Sequence, residues 1–455
     1  MTTLEAGLRA AANGFAGELI FADDPGYDEL RRIWNGAIDR RPTLIARCTS
    51  AADVAAAIGL ARANALPIAV RGGGHSIPGH SAVDGGVVVD LSRMRRVEVD
   101  AERRIAVAEG GALLADLDAA TQQHGLATTG GLVSHTGIGG LTLGGGMGWL
   151  ARKHGLTCDN LLEVELVTAA GEIITANAEQ HPDLFWALRG GGGNFGVVTR
   201  FSYRLHPLGP VFAGSVIYDG ADAASLFRRF REFGAGAPDE VGQVLVLTTA
   251  PPAPYIPESL RGRPAVIIAG CYAGPAEEGE RVLDPLRRLG TPVVDQFQPM
   301  PYPVLQQTID PMSEHGLGRY LKASLHEEID DPTIDLLIEH KQATPSPFAM
   351  VMVTAVGGAI ARVPADATAY APRSARWAVE FHDSWLPGQD GAAAREWTRA
   401  GSRQLPAPVV GSYVNFLIDE GPEAAYPTPT YARLRQVKQD WDPDNVFRLN
   451  QNIAP

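Results

Sequence analysis

Apolar and polar positions change their grammar once along the chain. Residues 50–64 open with Ser50 three positions before Asp53 and continue at helical spacing, which predicts a capped helix ending before Pro67. Residues 68–70 are a short apolar run that reads as a strand, and 87–91, 96–99 and 104–107 read as further strands between turn residues. Residues 112–123 read as a helix. From about residue 210 the apolar runs lengthen. Strands are predicted over 214–218, 243–249, 265–270, 349–356 and 375–382, with helices over 223–233, 277–289, 335–342 and 392–404. That order predicts an α+β protein whose second half carries a largely antiparallel sheet. The closing stretch, 431–455, reads as a helix, a turn at 442–445 and an apolar–polar tail.

At 455 residues, 45% hydrophobic and 20% charged, the chain has material for two or three domains with real cores. Its 39 basic against 52 acidic residues leave a net charge of −13, which repels phosphate backbones, so nucleic acid is not expected as a partner. Three cysteines, at 48, 158 and 271 and without a CxxC, indicate neither a disulfide framework nor structural zinc. The first residues lack the order of a signal peptide and no apolar run is long enough to span a membrane. A cytoplasmic protein is expected, with no membrane partner.

Glycine changes this picture. The chain has 51, and they crowd into three tracts before residue 200: 71–79, 130–148 with nine glycines, and 190–196. Glycine costs entropy and is placed where backbone must approach something closely. The tract Arg71, Gly72, Gly73, Gly74, His75, Ser76 follows a strand and would expose successive amides, a nest suited to a pyrophosphate. On its residues alone it fits equally a surface turn with an incidental histidine. The second tract, interleaved with Leu141, Leu143, Met147 and Trp149, suggests backbone lying along a large flat ligand. The third contains a formal GxGxxG at 191–196, yet it runs from a predicted helix into a predicted strand, the reverse of the dinucleotide fingerprint. The histidines are scattered, and His75 with His80 is a poor metal pair, so no metal site is expected.

Six motifs in order then carry a resemblance that covers nearly the whole chain: RGGGHS at 71–76, DGGVVVDLS at 84–92, GLVSHTGIGGLTLGGGMGWLARKHGLTCDN at 131–160, DLFWALRGGGGNFGVV at 183–198, YVNF at 413–416 and DPDNVFRLNQNI at 442–453. The sequence resembles the berberine-bridge-enzyme-like oxidases of the vanillyl-alcohol-oxidase superfamily, in its bacterial branch. The resemblance implies a two-part PCMH-type FAD-binding domain over 1–208, a substrate domain over 209–410 with an antiparallel sheet and helices on one face, and a C-terminal segment over 411–455 that returns to the FAD domain. It implies a covalent bond from His75 to the flavin 8α-methyl. Relatives that add a cysteinyl bond carry the cysteine where this chain has Val133, so a histidyl link alone is expected. The cofactor would further be held by Arg71, Gly72, Gly73, Gly74, Ser76, Ser134, His135, Thr136, Gly139, Gly140, Gly145 and Val198, and closed over by Tyr413, Asn415, Asn450 and Asn452.

The same likeness places acid–base chemistry at Tyr413 and at Glu380, on a strand whose period of two puts Ala378, Glu380 and His382 on one face. Leu141 and Met147 stand where plant relatives often have histidine and tyrosine, so plant alkaloid-cyclising and monolignol activities are not implied. The expected activity is oxidation of an alcohol or related C–H group of a small molecule, with O2 as acceptor. Two alternatives stay open: an oxygenase of polyketide-type substrates working through a flavin N5-oxide, with Thr136 governing oxygen access, and a drug-sequestering resistance protein. Oligomeric state and substrate are not legible.

Overall fold

Ser50 begins the first long helix as its sequence predicts. Its hydroxyl accepts the Asp53 amide at 3.1 Å, while the Asp53 carboxylate takes the amides of Thr49 and Ala16 at 2.9 and 2.8 Å. The helix, Ala51–Ala63, packs on a four-stranded sheet in which Leu44–Arg47, Val87–Asp90 and Ile68–Arg71 run parallel and Glu18–Ile20 pairs antiparallel at the edge. Val87–Asp90 is buried along its whole length, as a central parallel strand should be. This is a computed structural model, and it describes residues 3–11, 14–406 and 409–455.

A second sheet is five-stranded and antiparallel, in the order Val97–Asp100, Ile105–Glu109, Val197–Arg204, Leu161–Val167, Ile173–Asn177. The last two strands are absent from the sequence reading. Helix Pro182–Ala187 precedes strand Val197–Arg204, so the GxGxxG at 191–196 does link a helix to a strand and lacks the dinucleotide geometry.

The third sheet has eight strands, and its pairings are all antiparallel. Three of the predicted strands run longer than expected, Val211–Asp219, Val241–Thr249 and Pro264–Tyr272; the strand expected over 349–356 is shorter, Met350–Ala355, and that expected over 375–382 is shifted to Trp377–Trp385. Gly318–His326, which sequence reading did not find, pairs with Trp377–Trp385. Helix 335–342 starts earlier, at Asp331, because the Asp330 carboxylate caps it by accepting the Thr333 amide at 2.9 Å. Alternation divides the sheet cleanly. Leu245, Leu247, Val351, Val353, Val379 and Phe381 pack under the helices Ala223–Gly236, Ala276–Arg287 and Asp331–Gln342. Their neighbours in sequence face the other way, so the helices do cover one face only.

The C-terminal helix Thr428–Trp441 brings Lys438 into a fully buried ion pair with Asp442 at 2.6 Å. The lysine also donates to the carbonyls of Asn194 and Phe447 at 2.8 and 3.0 Å, and Asp442 accepts the amides of Val446 and Phe447. The turn predicted at 442–445 is thereby tied to the third glycine tract. Among the described residues no helix is long and apolar enough to cross a membrane.

Two outcomes follow from this packing. Asp442→Asn leaves the Lys438 charge buried without its counter-ion and should cost about 3 kcal/mol or more, read as a lower urea midpoint. His154 stacks on His206 at 3.8 Å, and burial first, then the neighbouring imidazole, lowers its pKa to about 3. The unfolded chain binds protons there below about pH 6.5 while the folded chain does not. Stability should therefore fall as pH drops from about 6.5, and His154→Phe should flatten that fall in melting curves.

Candidate active site

Between the uncovered face of the large sheet and the glycine loops of the two smaller sheets lies a cavity of about 1710 Å³. A single small-molecule ligand typically needs about 300–1,000 Å³, so this cavity has room for a cofactor and a substrate together. Its cofactor-side wall is built by two loops in backbone contact. A Cβ on Gly73 would fall against the amide of Gly137, and one on Gly137 against the amide of Gly73. Only glycine permits that approach. Among the described residues the amides of residues 72–76 donate to no protein acceptor, so the predicted nest of free N–H groups is present.

His75 stands at the end of this nest. Its ring stacks on Trp34 at 4.7 Å, its Nε2 lies 2.6 Å from His135 Nδ1, and its Nδ1 lies 3.5 Å from the Thr136 hydroxyl. Burial above all, with His135, His315 and Arg319 adding to it, lowers the His75 pKa to about 2. The imidazole is therefore neutral at physiological pH. His135 and His315 are also held below their ordinary values, chiefly by burial. The three rings place one ligand atom each within 4.8 Å of the others, a grouping that sequence reading missed because His315 sits far away in the chain.

The C-terminal segment supplies the opposite edge. The Tyr413 oxygen accepts the Gly146 amide and the Asn415 side-chain amide, both at 2.8 Å, and burial raises its phenol well above the ordinary range. Asn415 also donates to the Leu141 carbonyl at 3.2 Å, an approach that Gly144 permits because a Cβ there would strike the Asn415 amide. Asn450 donates to the Gly193 carbonyl at 2.9 Å, and buried Asn194 holds the tail through the Gln451 carbonyl and the Ile453 amide. On the sheet side, Glu380 is 3% exposed and its Oε2 lies 2.8 Å from His382 Nε2. Oε1 has no protein partner among the described residues.

Of the residues singled out by sequence, Gly72, Gly73, Gly74, His75, Ser76, Thr136, Gly139, Gly140, Val198, Glu380, Tyr413, Asn415 and Asn450 line the cavity, as does Val133. Five do not. The Arg71 guanidinium is spent on the Leu30 carbonyl. Ser134 gives its amide and hydroxyl to the Asp310 carboxylate at 2.9 and 2.5 Å. His135 lies behind His75, Gly145 packs against Tyr370 and Tyr413, and Asn452 lies outside the wall. Cys158 is fully buried and does not itself line the cavity, packing behind Tyr413 and Ala378. Trp34 and Arg319, which do line the cavity, carried no local sequence signal.

The wall fits a flavin dinucleotide in its donor and acceptor chemistry. Besides the free amides, His80 Nε2, Ser81 Oγ and Asn450 Oδ1 are buried polar atoms of cavity-lining residues that find no protein partner among the described residues, and such atoms are rare unless a ligand or water meets them. The FAD-binding amides would be those of residues 72–76, with Gly139, Gly140 and Val198 along the groove and Asn415 and Asn450 at its edge.

The FAD binding domain family matches residues 42–177, and the berberine and berberine-like family matches residues 412–454. An FAD-linked oxidoreductase of Bacillus subtilis, YgaK, is 32% identical over 454 residues, covering 96% of this chain and 97% of its own. The (R)-6-hydroxynicotine oxidase of Paenarthrobacter nicotinovorans is 31% identical over 96% of this chain and 97% of its own. Among solved structures, 6-hydroxy-D-nicotine oxidase from Arthrobacter nicotinovorans superposes with a TM-score of 0.84 at 28% identity, over 97% of this chain and 98% of that one. Chitooligosaccharide oxidase shares the fold at a TM-score of 0.85 and 23% identity, over 100% of both chains. With the glycine-walled cavity and both family matches in place, the chain belongs to the berberine-bridge-enzyme-like family of FAD-linked oxidoreductases.

Proposed function

We propose that the protein is an FAD-dependent oxidase that oxidises an alcohol or related C–H group of a small organic molecule, with O2 as electron acceptor and the flavin held covalently through His75 alone. The observation that carries this reading is the state of His75: a neutral imidazole beside a nest of free amides, with Nε2 engaged by His135 and Nδ1 facing no stronger partner than Thr136. FAD, when bound, supplies the electron sink, accepting a hydride from the substrate carbon and returning two electrons to oxygen as peroxide.

The chain's own groups have distinct tasks. His75 is the nucleophile for attachment, and His135 is the base that receives its Nε2 proton. Glu380 Oε1 takes the proton of the substrate's hydroxyl or amine, while His382 holds the other carboxylate oxygen. Tyr413 is a donor rather than a base: its oxygen already accepts two N–H groups and burial disfavours the phenolate, so its own proton remains to be given. Thr136, in the wall 3.5 Å from His75, favours oxygenation as the second reading. Label from 18O2 in the product would mark that reaction, and stoichiometric peroxide without label the oxidase.

Denatured, precipitated protein should retain the yellow chromophore, whereas His75→Ala should release it to the supernatant; free flavin from the unaltered protein would overturn the covalent link. His135→Ala should slow covalent incorporation of added FAD into apoprotein. Glu380→Gln should lower kcat by about 100-fold or more with flavin content unchanged.

A further inference from the structure

The uncovered face of the large sheet is written in rows by its register. Ile217 faces Ile267, Ile267 faces Val246, Val246 faces Met352, and Met352 faces Glu380. All five line the cavity. At about 4.8 Å per strand the row spans roughly 19 Å. It is aliphatic from one end to the other until it meets one carboxylate. Of the two flanking rows, one adds the small hydroxyls of Ser215 and Thr354 among apolar residues, and the other carries Thr248 and His382 beside Met350.

A second observation is independent of the register. Large apolar side chains left exposed on this protein include Tyr255, Val304, Met312 and Leu386, at 47–54% exposure, and these four also line the cavity. Exposed apolar residues that line a cavity mark a binding surface. The carboxylate end of the row is the cofactor end, since Ala378, next but one to Glu380 on the same face, packs in one cluster with Tyr413. The far end, Ile217 and Ile267, packs with the 250–260 loop that carries Tyr255.

We infer that the substrate is an apolar, ring-bearing molecule with a single hydroxyl or amine at the carbon to be oxidised, and that it is not an oligosaccharide. The inference rests on the oxidase reading and names its substrate class. The O–H or N–H donor would meet Glu380 Oε1 at the cofactor end of the row, and the hydrocarbon body would lie along Met352, Val246 and Ile267 toward the Tyr255 loop. A sugar chain laid on this floor would bury several hydroxyls against aliphatic side chains, at about 1–3 kcal/mol for each one left unpaired. A fused carbocycle or aromatic ring leaves none.

The test uses the flavin-loaded protein with four probes: 1-tetralol, 1-aminotetralin, cellobiose and xylobiose. Binding is read by calorimetry, and flavin bleaching is followed under anaerobic conditions. The expected result is that 1-tetralol or 1-aminotetralin binds at least tenfold more tightly than either disaccharide, the better of the two showing whether Glu380 receives a hydroxyl or an ammonium. Val246→Asp should weaken that binding at least tenfold with flavin content unchanged. Tighter binding of cellobiose or xylobiose, bound tetralin probes indifferent to Val246→Asp, or binding of none of the four would overturn the inference. Tetralin binding that is sensitive to Val246→Asp but bleaches no flavin would support the substrate class and count instead against the oxidase reading.

Discussion

The contact of two peptide backbones, Gly73 against Gly137, is the constraint on which the cofactor end of this protein depends. It admits no Cβ on either side, and so fixes the distance between the loop after the parallel strand Ile68–Arg71 and the long tract that carries residues 131–145. Because those two loops touch, His75 meets His135 and Thr136, although they are 60 and 61 residues away in sequence. Beside that contact, the amides of residues 72–76 donate to no protein acceptor among the described residues. A larger residue at either glycine would collide with the facing backbone, so the two loops would have to move apart.

Much of this end was legible in the sequence because glycine reports on backbone, and backbone approach is a local property. The RGGGHS tract, the reversed order around 191–196 and the identity of Val133 needed no tertiary information. What failed was side-chain direction. Arg71 belongs to the right loop, but its long guanidinium reaches back to Leu30, and Ser134 is claimed by Asp310, 176 positions distant. No local pattern encodes such partners. Trp34, His315 and Arg319 were invisible for the same reason: each is an isolated residue whose meaning comes only from what it meets. The missed strands Leu161–Val167 and Gly318–His326 mix charged or polar residues into apolar runs, and so present no clean period.

The C-terminal segment shows how a short polar run can be structural and lie at a cavity at once. Asn194 and Lys438 clamp the tail from below, the lysine through a pair with Asp442 that is sealed from water. Above them Asn415 and Asn450 are held by carbonyls of the glycine tracts and still line the cavity. The tail's share of the wall is thus held in place by the tracts before residue 200. Matches to family models at residues 42–177 and again at 412–454 reflect that partnership between distant parts of one chain.

The strict alternation of the large sheet has an evolutionary reading. Leu245, Val353 and Val379 hold the helices, while Val246, Met352 and Glu380, one step away or on the same strands, face the cavity. Stability and chemical preference are therefore inherited on interleaved letters of the same segments. A lineage can rewrite the cavity-facing letters without touching those beneath the helices, and drift in the buried letters is checked by packing alone. A scaffold organised in this way can change what it acts upon one residue at a time while remaining the same folded object.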